Sequence, residues 1–376
     1  MTKAEKLLRE LIALPSVNPA FAPAGDAGTG EKLVGEFLMA TLKRSGLDAQ
    51  RHPVFPGREN IVARLIPRQK PTRRILLAPH LDTVGVPDET LLRPIRKNGR
   101  LYGRGACDTK GNIAAMVTAL LSVAQAGPRP ARTEIVFVGL VDEEYGQCGS
   151  RALAATGFKA DLAIVGEPTQ LRVVTAHKGD VWLRLETRGK SAHGARPELG
   201  RNAVHAMAKI VHLLETEYAA QLRRRRHPLL GHPTVNVGSI AGGTQPNIVP
   251  AHCAVGIDRR TLPGETETSV RQEVRAFLKR HRQSANLGNA KTAECLPLDT
   301  PLDLRLVREF LQCVGQTKAA GVDFFCDAAV LAAAGIPSVV FGAGNIAQAH
   351  TADEWISLRS LEAGTRILAR YLQSLP

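Results

Sequence analysis

RRILLAPHLDTV, residues 73–84, decides how this chain folds. Ile75, Leu76, Leu77 and Ala78 form an unbroken apolar run, as a strand buried on both faces requires. Where that strand should meet solvent the chain places His80 and Asp82. Residues two apart on a strand point the same way, so the imidazole and the carboxylate share a face. Working outward, "NIVARLI", "TEIVFVGLV" and "LAIVGEP" are further short apolar runs. Between them lie helical stretches, "EKLVGEFLMATLKRSG" closed by Gly46 and "GNIAAMVTALLSVAQAG" closed by Gly127. The alternation predicts an α/β fold: a mixed, mostly parallel sheet with helices on both faces. Such sheets bind ligands at the carboxyl ends of their strands. His80, Asp142 to Glu144 and Glu167 all fall at those ends.

The texture changes after residue 176. "DVWLRLETRG" alternates apolar and polar residues, the signature of a half-exposed antiparallel strand. A long helix follows ("RNAVHAMAKIVHLLETEYAAQL"), then strands at "TVNVGSIAGG" and "HCAVGIDRRTL", then the helix "ETSVRQEVRAFLKRH". The α/β pattern resumes with a helix near Leu302 to Val314, the strand "IPSVVFGAG" and a closing helix near Leu358 to Leu372. The economical reading is an α+β domain at 177–289, inserted between two parts of one α/β domain at 1–176 and 290–376. The chain carries a formal charge of +14, and the insert, with 18 Lys and Arg against 9 Asp and Glu, supplies most of it. Within the insert, Arg223 to Arg226 read as the solvated carbonyl end of the long helix, where cations suit the dipole.

Composition narrows the function classes. Only 4% of the residues are aromatic, and no basic helix carries interleaved aromatics, which argues against nucleic-acid binding. "GDAGTGEKL" imitates a phosphate loop, but Glu31 stands where the lysine must be and would repel phosphate. No apolar run approaches the length of a membrane span, and "MTKAEKLLRELIAL" reads as an amphipathic helix rather than a leader. Six scattered cysteines without a CxxC pair favour reduced thiols. The expectation is a soluble cytoplasmic protein.

The chemistry gathers in five short motifs. A lone histidine at a strand end is usually structural, but the HxD spacing lets Asp82 hold one ring nitrogen while the other faces a metal. "GRGACDTKGN" sets Asp108 in a glycine-flanked loop ahead of a helix. "VDEEYG" closes a buried strand with Asp142, Glu143 and Glu144, "IVGEPT" closes another with Glu167, and "QAHTADEW" adds His350. That many carboxylates cannot be desolvated together without cations. Of the adjacent Glu143 and Glu144, the spacing leaves open which binds metal and which acts as base.

These motifs, with "KSAHGARPELGRNA", "PNIVP" and "DRRTLPGE", resemble the co-catalytic zinc aminoacylase and carboxypeptidase family over nearly the whole chain. That family includes acetylornithine deacetylase, succinyl-diaminopimelate desuccinylase and glutamate carboxypeptidase. The resemblance implies a zinc-exopeptidase-like catalytic domain and an inserted lid and dimerisation domain. It implies two Zn2+ ions, replaceable by Co2+ or Mn2+, with Asp108 bridging them. His80 and Glu167 would complete one site, Glu144 and His350 the other. Asp82 would orient His80, and Glu143 would be the general base. His193 would reach a neighbouring subunit's site and stabilise an oxyanion, while Asn247 and Arg260 would hold the substrate's α-carboxylate, with Arg259 an alternative to Arg260. The implied activity is hydrolysis of an N-acyl amino acid, with N-acetylornithine the first candidate and succinyl-diaminopimelate or a dipeptide the alternatives. The implied assembly is a homodimer through the insert. One departure stands out: "FFCDAAVL" places Asp327 where close relatives carry a Thr-Glu or Ser-Asp pair. That carboxylate is either a partner for a cationic side chain or structural.

Overall fold

The Arg73–Ala78 strand sits at the centre of the first sheet, as its apolar run requires. It pairs in parallel with Thr133–Gly139 on one side and Leu162–Val165 on the other. Ser338–Val340 extends the parallel centre beyond Leu162–Val165. Antiparallel strands flank it, with Arg58–Leu65 pairing Thr133–Gly139 and Asp48–Phe55 outermost. The computed structural model describes residues 1–22, 29–86, 88–126, 129–290 and 293–376. Gly127 and the first part of the "GDAGTGEKL" stretch fall outside the described residues.

Both faces of the central strands are dry. Ile75, Leu77, Ile135, Phe137, Leu162 and Ile164 join one core cluster with the helices Lys3–Ile12, Lys32–Arg44, Lys110–Ala126 and Leu358–Gln373. Their chain neighbours Leu76, Val136, Val138, Ala163 and Val165 point the other way and are equally buried. The helix Asp327–Ala333 packs on the sheet at Leu162–Val165 and Ser338–Val340. Two-sided burial explains why these strands read as continuous apolar runs rather than alternating ones.

The chain divides into two compact units. The first comprises Met1–Thr175, Thr300–Ala320 and Cys326–Pro376, and the second Ala176–Asp299 with Gly321–Phe325. The second unit thus takes in residues 290–299 and 321–325, which the sequence pattern had left with the α/β part. Its sheet is antiparallel, in the order Thr234–Gly242, His252–Thr261, Gly179–Arg188, Asn286–Asn289. Inward residues Val181, Leu183 and Leu185 pack with Met207, Ile210, Val270, Val274 and Phe277 from its helices. The long helix runs as Ala203–Leu213, a π-helical segment Leu214–Tyr218, and Ala219–Leu222. Arg225, just past its end, is not merely solvated: it is ion-paired with Glu265 and Glu273.

Candidate metal centre

Five chain segments of the first unit meet at the carboxyl ends of its parallel strands. His80 follows the Arg73–Ala78 strand and is 2% exposed. Its Nδ1 lies 3.0 Å from the backbone oxygen of Asp82 and 3.3 Å from the Asp82 carboxylate, which fixes the ring and turns Nε2 inward. Nε2 lies 3.0 Å from Oδ1 of Asp108 and 3.8 Å from Oε1 of Glu167. On the other side of Asp108, Nε2 of His350 lies 3.3 Å from Oδ2 and 3.1 Å from Oε2 of Glu144. Each Asp108 oxygen therefore faces a different imidazole, and each imidazole has a second carboxylate beside it. Among the described residues, His80, Asp108 and Glu144 each bring a donor atom within 4.8 Å of the others.

Two left-handed backbones shape the site. Asp142 has φ +68° and His350 φ +62°, a left-handed conformation uncommon for side-chain-bearing residues, though Asp and His enter it more readily than most. Beyond the turn at Asp142, the amides of Glu143 and Glu144 donate to Oδ1 and Oδ2 of Asp82, each at 3.1 Å. Asp82 thus braces both the imidazole and the acidic pair. Asn18 donates to Asp82 at 2.8 Å and to Asp142 at 3.0 Å. Glu31 accepts the Asp142 amide and a two-pronged grip from Arg58, whose other bond reaches Asp142 at 3.1 Å. Of these supports only the grip of Asp82 on His80 was expected from the sequence; those from Asn18, Glu31 and Arg58 were not. Glu31 entered only as the residue that breaks a phosphate-loop pattern.

The electrostatics is that of a cluster short of positive charge. Burial pushes Glu143 and Glu167 well above the carboxylate range and Glu144 up to about 7. Burial alone would lower His80, yet Glu167, Asp108 and Asp82 carry it well above the usual imidazole value. Asp108 and Glu144 raise His350 to about 10, while the two imidazoles hold Asp108 below the carboxylate range. Buried Oε1 atoms of Glu144 and Glu167 have no hydrogen-bond partner. Two divalent cations sharing Asp108 fit this donor set: they would take up the orphaned oxygens and replace the protons that the acids draw in.

Asp327 lies fully buried beside the cluster, its Oδ1 accepting from the Ser150 hydroxyl at 2.5 Å. The other expected residues belong to the second unit. His193 is exposed, its Nδ1 accepting from the Ala195 amide at 3.1 Å. The adjoining amide of Gly194 donates to the Asn247 carbonyl at 2.7 Å, so these two loops are tied together. Of the adjacent arginines, Arg259 is sealed in the interior against Tyr218 and Glu265. Arg260 keeps a side chain that is 29% exposed, resting on Asp258.

Residues 76–374 match the sequence pattern of peptidase family M20/M25/M40. The chain belongs to that family. This M20 protein is 30% identical to an acetylornithine deacetylase of Proteus mirabilis, with 98% of this chain and 96% of that one covered. An acetylornithine deacetylase of Myxococcus xanthus is 34% identical over 74% of this chain and 73% of its own. In fold, the M20 chain matches an M20 metallo-carboxypeptidase from Sulfolobus solfataricus with a TM-score of 0.78 at 18% identity, 99% of each chain being covered. A dinuclear metal-binding M20 peptidase of Bacillus subtilis gives a TM-score of 0.71 at 13% identity, covering 98% of this chain and 96% of that one. The protein is accordingly a metal-dependent hydrolase. Among its described residues no helix is long and apolar enough to cross a membrane.

Proposed function

We propose that this M20 hydrolase cleaves the N-acyl amide bond of an α-amino acid, with N-acetylornithine the first candidate, and that it does so with two Zn2+ ions. One observation carries the reading: the two oxygens of Asp108 face His80 and His350 separately, at 3.0 and 3.3 Å. Asp108, His80 and Glu167 would hold one ion, and Asp108, Glu144 and His350 the other. Mixed imidazole and carboxylate donors suit zinc, with cobalt or manganese as substitutes. Bound there, a divalent pair supplies electrophilic polarisation of the scissile carbonyl and a more acidic water.

The chain's own groups do the rest. Glu143 is the general base, taking a proton from the attacking water and delivering it to the leaving nitrogen. Asp82 keeps His80 oriented. His193 is assigned to the developing oxyanion, and Arg260 with Asn247 to the α-carboxylate, a planar anion that a guanidinium grips well. Arg259 is set aside because Tyr218 and Glu265 engage it.

A homodimer through the second unit fits the outer strand Thr234–Gly242, which is exposed along most of its length and leaves Ile240 57% accessible. The six free cysteines suit a reducing compartment such as the cytoplasm. The reading is tested by assaying N-acetyl, N-succinyl and dipeptide substrates with added zinc, cobalt or manganese. N-acetylornithine is expected to give the highest kcat/KM. Preference for N-succinyl-diaminopimelate or a dipeptide would move the assignment to those relatives, and no turnover of any would overturn it.

A further inference from the structure

His350 and Glu354 sit on one loop, four residues apart, and address the same partner from two sides. Glu354 is fully buried. Its Oε1 accepts from the amides of Cys107 and Asp108 at 2.8 and 2.9 Å. Its Oε2 accepts from the Gly105 amide at 2.9 Å and the Arg104 guanidinium at 2.8 Å. Its backbone oxygen accepts a further amide, that of Gly103, at 3.0 Å. The loop 103–108 therefore curls around one carboxylate as a nest of amides normally curls around an anion. Gly105 makes the curl affordable: its φ is +80°, and a Cβ there would meet the Lys110 side chain at 2.8 Å.

We propose that Glu354 is a positioning residue for the bridging ligand, setting Asp108 between His80 and His350 so that its two oxygens serve two ions. This rests on the dinuclear reading above. The loop that contributes His350 also fixes, through Glu354, the backbone of the residue His350 must meet, so the two ligands move as one piece. Both Glu354 oxygens take two donors each, so a glutamine loses half of these bonds in either orientation and sets an NH2 against N–H groups.

The experiment compares wild type, Glu354→Gln and Glu354→Asp after chelator stripping and reconstitution with Co2+. It reads ion affinity by competition with a chromophoric chelator, the visible absorption of the Co2+ form, and the melting temperature of the stripped protein. Both variants are expected to bind Co2+ roughly 10–100-fold more weakly than wild type and to show an altered spectrum, with aspartate the milder because it keeps two acceptor oxygens. Should the glutamine variant fail to fold, aspartate carries the comparison alone. Wild-type affinity and spectrum in the folded variants, even with a lowered melting temperature, would make Glu354 a purely structural residue and overturn the proposal. A wild type that takes up no Co2+ would instead sink the dinuclear reading itself.

Discussion

Glu143 and Glu144 are adjacent in sequence and close in chemistry, but they have different neighbours. Glu144 meets His350 at 3.1 Å, whereas Glu143 is placed among His80, Glu167 and Asp327 without an ion-pair partner among the described residues. Glu143→Gln is expected to lower kcat by roughly 10²–10⁴-fold while metal content is unchanged, measured by steady-state assay beside elemental analysis. Near-normal turnover would remove Glu143 from the base role. At this scale the sequence was legible where the candidate site draws on a contiguous motif: the HxD pair and the acidic triplet announce themselves and meet in space. Asn18, Glu31 and Glu354 were silent because their partners lie 64, 111 and 246 positions away. A buried acceptor is invisible until the chain closes around it.

The element that most needs support is the turn at Asp142. It ends a buried strand in a left-handed residue and three consecutive acids, and nothing in its own sequence compensates them. Compensation comes from the Arg58–Leu65 strand, whose first residue holds Glu31 at 2.6 Å and Asp142 at 3.1 Å. Removing one partner of a buried pair leaves the other charge stranded. Arg58→Met is therefore expected to destabilise the protein by about 3–5 kcal/mol in urea unfolding, and Glu31→Gln added to it should recover part of the loss. A loss under ~1 kcal/mol would show the pair to be ornamental, as exposed pairs usually are. Elements with an unambiguous period were readable, such as the alternating Gly179–Arg188 strand, whose burial alternates over most of its length. The π-helical segment Leu214–Tyr218 was not, since neither glycine nor proline marks it. The short strands Ile95–Lys97, Arg100–Tyr102 and Trp355–Ser357 also escaped, being too brief to show any period.

At the scale of the whole molecule, the parallel centre of the sheet decides where chemistry happens. Strands buried on both faces leave only their ends for polar groups, and here those ends collect imidazoles and carboxylates; among the described residues, Asp108, Glu144 and Glu167 have no cation beside them except the imidazoles of His80 and His350. The α/β class was legible because apolar runs and helical periods alternate so regularly. The outline of the second unit was less so: its last pieces, at 290–299 and 321–325, return to it by tertiary contact and carry no compositional mark. The central claim is that the rim is tolerable because two divalent ions share Asp108. The most direct test strips the protein with a chelator and titrates it with Zn2+, following bound ion and recovered hydrolysis together. Two tightly bound equivalents per chain are expected, with activity that returns as they bind. A protein that binds no ion, or saturates at one with full activity, would contradict that claim.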